Sequence, residues 1–162
     1  MGWPRPPEWV DANFTQGGWH PGRDIGEDGL AALVAPVLAA YREDGRYDLE
    51  LFPAAADFLR EHGGVAMRLG DRPRDRLLFD PDLPSRDEPE EAAELARGLG
   101  LRVFPIGYDL DEGARFYIDE TGRFFYEFWE ELHYVGAEKY EAFGGPLFGG
   151  PFAEDFYAVP PR

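Results

Sequence analysis

The sequence predicts an α+β fold: an antiparallel β-meander of about five strands flanked by helices. Three observations lead there. The first third of the chain repeats apolar residues at helical spacing. From Val65 onward the apolar runs shorten to strand length. The last three of these runs follow one another with only turn residues between them, the pattern of an antiparallel meander. Imperfect alternation within the runs suggests a sheet buried on one face.

Each element has its own signal. Pro6 and Pro7 open a short helix, with Val10 and Phe14 one turn apart, and Gly17 and Gly18 stop it. Glu27 to Glu43 is a second helix, striped by Leu30, Leu33, Val34, Val37, Leu38 and Tyr41. Pro36 lies inside that stripe, which predicts a kink or two shorter helices. After an extended link over 46–51, Pro53 starts a third helix that turns Phe58 and Leu59 inward and closes at Gly63 and Gly64. Val65 to Leu69 and Leu77 to Phe79 form a hairpin around Asp71, Arg72, Pro73 and Arg74.

Asp80 to Pro89 holds three prolines and reads as a loop. Pro89 then begins a helix with Glu90 and Glu91 at its positive end, closing near Gly98 or Gly100. Strands follow at Leu101–Gly107, Ala114–Asp119 and Arg123–Trp129. Between the last two, Asp119-Glu120-Thr121-Gly122 is a hairpin turn whose glycine supplies the left-handed residue. A last helix spans Ala137 to Gly144, and the glycine-, proline- and aromatic-rich stretch from Pro146 is a surface tail. One domain is expected over residues 1–162, with 151–162 as a C-terminal tail.

Composition narrows the function. At 162 residues, 44% hydrophobic and 15% aromatic, the chain fits one packed core and is not a disordered polymer. It contains no apolar run of about 18 residues, so no membrane span is expected. Met1 to Val10 lacks the basic start and apolar stretch of a secretory signal. The absence of cysteine removes disulfides, thiol catalysis and thiolate metal sites, and fits a reducing, cytoplasmic setting. A net charge of −16 repels nucleic acid and anionic membranes and attracts basic partners. The same charge also serves solubility or adaptation to salt, and a charge sum does not say where the charge lies.

Catalytic machinery is not found in the pattern. The single serine, Ser85, sits in the proline-rich loop without a neighbouring histidine. His20, His62 and His133 lack metal-ligand spacing and read as helix-end or surface residues. Gly144, Gly145, Gly149 and Gly150 are not followed by the Lys-Ser or Lys-Thr of a phosphate loop. Asp109, Asp111 and Glu120 fall at the first, third and twelfth places of a calcium loop. But Gly113 takes the fifth, ligand place, and Ala114 replaces the required sixth-place glycine. No catalytic residue, cofactor or metal is therefore expected. Acidic residues beside aromatics are the better candidates for protein contact: Asp109, Asp111 and Glu112 in one loop, and Glu127, Trp129, Glu130, Glu131 and Tyr134 around the last strand. A solvated sheet rim is the plain alternative for the second group.

Several segments in order resemble a known family. Gly18-Trp19-His20-Pro21-Gly22-Arg23 is similar to the opening motif of the third SUKH subfamily. Phe58-Leu59-Arg60-Glu61-His62-Gly63-Gly64, Phe79-Asp80-Pro81, Val103-Phe104-Pro105-Ile106-Gly107 and Ile118-Asp119-Glu120-Thr121-Gly122-Arg123 follow in the family's order, over roughly residues 7–145. The resemblance implies an α+β domain and, for many members, an immunity protein that binds and neutralises a toxin of the same bacterium. Its matching residues, Trp19, Pro21, Gly22, Arg23, Pro105, Gly107 and Gly122, are fold residues and do not mark the toxin contact. Residues 24–52 are longer than the family's usual link, and the tail after Gly150 is an addition. The expected function is stoichiometric inhibition of a cognate, basic toxin, with a nuclease or nucleic-acid deaminase as the class in view. A scaffold or regulatory binding module of the same fold is the second reading. Trp19 is expected to be buried, with Arg23 tied to nearby carboxylates or carbonyls.

Overall fold

The structure, a computed structural model, describes residues 4–82, 88–128 and 131–145, with Phe128 as backbone only. Its helices are α1 (Pro7–Gln16), α2 (Gly26–Asp44), α3 (Pro53–His62), α4 (Glu88–Leu99) and α5 (Lys139–Phe143). The strands are β1 (Ala66–Arg68), β2 (Arg76–Leu78), β3 (Val103–Asp109), β4 (Arg115–Asp119), β5 (Phe124–Phe128) and β6 (Glu131–Gly136). They form one sheet in sequence order, antiparallel at each step. The α+β meander is as predicted, with β6 as a sixth strand. The predicted tail, residues 146–162, lies outside the described residues.

Proline at the first turn of α1 and of α3 suits a position whose N–H has no helical acceptor. Val10 and Phe14 of α1 are fully buried, and so is Leu59 of α3. Gly17 ends α1 where the chain meets the outer edge of β1: the Ala66 N–H donates to the Gly17 carbonyl at 3.2 Å. A Cβ at Gly17 would lie 2.0 Å from the Ala66 oxygen, so only glycine permits this approach. In α2, Leu30, Val34, Val37 and Tyr41 are buried, and left-handed Gly45 donates back to the Tyr41 carbonyl. The helix is continuous through Pro36, not split in two as one reading of the sequence had it. Pro36 and Ala32, whose carbonyl loses its amide partner, both lie on the exposed face, where water can serve that carbonyl.

Side chains of successive strand residues point to opposite faces. On one face Phe14, Phe58, Phe79, Phe124 and Phe143 pack as edge-on and stacked rings, with Phe58–Phe124 at 5.1 Å and Phe79–Phe143 at 5.4 Å between centroids. On the other face α4 packs on β3, above Arg115 and Tyr117. Residues 103–107 and 116–119 are buried at every position, so the sheet centre is covered on both faces and not on one. A register shift between Pro105 and Gly107 marks a bulge, placed where proline has no N–H to give.

Candidate protein interface at one end of the sheet

The alternation of strand directions decides which turns meet. Strands β1, β3 and β5 run one way and β2, β4 and β6 the other. The β1–β2 loop (69–75), the β3–β4 loop (110–114) and the paired Phe128 and Glu131 of β5 and β6 therefore lie at one end. The β4–β5 turn, with Gly122, lies at the opposite end. Two clusters that are separate in sequence, Asp109-Asp111-Glu112 and Glu127 with Glu131, thus share one end of the sheet.

Their side chains do different jobs. Asp109 is half-buried and folds the loop, accepting the Asp111 N–H at 2.7 Å and the Glu112 N–H at 3.4 Å. Burial raises its pKa despite these donors. Asp111 accepts from Arg72 of the neighbouring loop at 3.2 Å. Glu112 and Glu131 are exposed. Leu110 and Leu132, 41% and 36% exposed, stand on the same two hairpins. Tyr134 is half-buried on β6, its ring 5.8 Å from Phe125. Trp129 and Glu130 lie outside the described residues.

Glu127 is placed differently from the expected open patch. It is 5% exposed, opposite Arg115 in the β4–β5 register, with its carboxylate 3.5 Å from that guanidinium. Arg115 also pairs with Glu91 of α4. Beside them lie Tyr41, Tyr117 and Glu88, all buried. Burial pushes the Glu88 carboxyl up to about 8, against the pull of Arg115, and raises the Tyr41 and Tyr117 hydroxyls. Sequence reasoning missed this polar cluster. The signal was present, since Arg115 and Glu127 are each six residues from Thr121, on which the β4–β5 register is centred.

Of the histidines, His62 bears out its reading as a helix-end residue and His133 corrects its own. His62 does end a helix, but it is 1% exposed, stacked between Trp19 and Phe58 at interplanar angles of 2° and 15°. His133, 8% exposed, is a strand residue and not a surface one. Trp19 is buried at 6%, and Arg23 donates to the Glu61 and Gly63 carbonyls at 2.7 and 2.8 Å. Pro21 is exposed beside Gly22, whose φ is +76°. These motif residues tie the loop after α1 to the end of α3. Among the described residues, no group of three His, Asp or Glu side chains could hold a metal ion, and no helix is long and apolar enough to cross a membrane.

Fold and surface define the class: a helix-flanked antiparallel meander with acidic hairpins at one end. The family of SUKH-3 immunity proteins matches residues 6–147, and the chain belongs to that family, the one its ordered motifs resemble. Membership makes a toxin the general kind of partner, in a family that is generally not enzymatic. Comparison with curated proteins and with solved structures returned no match.

Proposed function

We propose that this chain is a cytoplasmic immunity protein that neutralises one cognate toxin by stoichiometric binding. Family membership over residues 6–147 is the observation that carries the reading. The toxin is a protein with a basic surface, such as a nuclease or nucleic-acid deaminase, and the net charge of −16 favours that partner. The hairpin end supplies the contact: Asp111, Glu112 and Glu131 form an acidic rim, with Leu110, Leu132 and Tyr134 as apolar surface. Asp109 and Glu127 support it from within. Carboxylates there occupy the groove that receives a phosphate backbone, which blocks substrate without any chemistry by the inhibitor.

The reading predicts a neighbouring gene for a secreted toxin, and the test uses the basic C-terminal domain of that toxin. Its activity is measured while the purified immunity protein is added. Complete loss of activity at equimolar protein is the expected result. Full activity at a tenfold excess would overturn the proposal.

A further inference from the structure

We propose that Arg115 is a positioning residue for toxin binding, bracing α4, the β3–β4 hairpin and the β5–β6 hairpin through Glu91 and Glu127. The inference rests on the immunity reading above, and it concerns residues that do not reach the surface rim. Arg115 is the first residue of β4, immediately after the loop that carries Leu110, Asp111 and Glu112. Glu127 lies opposite it and is itself paired with Leu132 of β6. Glu91 lies in the first turn of α4. One guanidinium thus ties both acidic hairpins to one helix. The side chains of Arg115, Glu91 and Glu127 are 14%, 19% and 7% exposed, so the contacts are little screened by water.

The chemistry suits a brace. Both carboxylates approach the same guanidinium nitrogen, Nη1, and the planar group that carries it is more rigid than the freely rotating ammonium of lysine, so the two are held at a set angle. Buried ion triads of this kind contribute little net stability against an apolar replacement, and their best-attested use is to fix register. Flexible hairpins would have to be ordered at the moment of binding. A brace removes that cost beforehand, so its loss should speed toxin release.

The experiment compares wild type with Arg115→Met, Arg115→Lys and Glu127→Gln. Two quantities are measured: dissociation from the same toxin domain, and amide hydrogen exchange of the free protein. Arg115→Met and Glu127→Gln should each dissociate about tenfold faster. Exchange should accelerate at residues 110–114 and 131–134, while Phe14, Phe58 and Phe79 keep their protection. Arg115→Lys should recover only part of the loss. Unchanged dissociation would overturn the brace. So would faster exchange across the whole sheet, since Arg115 would then act through stability alone. Glu127→Gln decides the matter if Arg115→Met does not fold. If wild type itself fails to bind the toxin, the immunity reading falls, and the exchange pattern still judges the brace.

Discussion

Gly122 and Gly107 show two physical reasons for one residue type. Gly122 has φ +92° with open space around its missing Cβ, so backbone strain is what excludes other residues. Gly122→Ala should cost about 1 kcal/mol or somewhat more. At Gly107 a Cβ would lie 2.4 Å from the Leu78 carbonyl oxygen, so Gly107→Ala must move the β2 backbone and should cost about 2 kcal/mol or more. Urea midpoints for both variants check this order, and a larger loss at Gly122 would reverse the assignment. Gly122 was legible because Asp-x-x-Gly between two strand runs marks a turn. Gly107 was marked by the family resemblance alone, because its crowding comes from a strand distant in sequence. The burial of His62, a helix-end residue as read, was not legible for the same reason: it depends on Trp19 and Phe79, which the fold supplies. Burial, then the charges of Lys139 and Arg23, lowers its pKa to about 3 from an ordinary 6.5. The unfolded chain therefore binds the extra proton below pH 6.5. Stability from His62 is full above that value and falls as pH drops towards 3, by roughly 2–3 kcal/mol at pH 4.5. Glu88, with its raised pKa, acts in the opposite sense, losing stability as pH rises through about 8. The pH dependence of wild type minus that of His62→Phe isolates the histidine. A flat difference between pH 7 and 4.5 would show that the ring is not buried neutral.

At the scale of elements, periodicity found the helices because each buries one stripe. It located five of the six strands. Strand β6 was missed for two physical reasons. The Phe128–Glu131 reversal contains no Gly, Asn, Asp or Pro, so nothing in the sequence punctuates it. The strand also places apolar residues on both faces, Leu132 and Tyr134 on one and Val135 on the other, which blurs the two-residue period. The acidic turns of the candidate interface were legible as clusters, but their meeting at one end follows from strand direction, which only the full topology supplies. Pro36 is the opposite case, a strong local signal overridden by packing. The helix it should interrupt is held by Leu30, Val34, Val37 and Tyr41 on its buried face. The missing hydrogen bond remains a cost, so Pro36→Ala should stabilise the protein. A helix-interior proline costs about 3 kcal/mol against alanine, less about 0.4–1 kcal/mol that proline returns by restricting the unfolded chain. A gain of about 2 kcal/mol is expected, read as a higher melting temperature. A lower one would mean that the proline ring itself packs favourably.

At the scale of the molecule, 32 acidic residues face 16 basic ones, and the structure shows how the bases are spent. Arg46, Arg60, Arg72 and Arg102 each contact two carboxylates. Arg115 and Arg123 are committed in and beside the sheet, and Lys139, the only lysine, lies 3.8 Å from the Trp19 ring centroid with Asp11 beside it. These seven cations thus serve internal pairing, and the acidic excess dominates the net charge. The field of that charge attracts a basic toxin before contact, over a range of about 8 Å at physiological salt. The association rate should fall about tenfold or more between about 50 and 500 mM salt, while dissociation changes much less. Place matters as well as amount. Glu112→Gln and Glu131→Gln, at the hairpin end, should slow association more than Glu120→Gln at the opposite end, although each removes one negative charge. Glu112→Gln and Glu131→Gln should shift the melting temperature little, since exposed positions tolerate substitution within about 0.5 kcal/mol, whereas Glu120→Gln weakens the acceptor of the Arg102 N–H at 2.9 Å and should lower it modestly. The measurement is surface-binding kinetics of the four proteins against the toxin domain across the salt series. Equal slowing by all three variants would make the field a property of total charge. No salt dependence at all would leave the acidity to solubility and remove steering from the mechanism, even with toxin inhibition intact.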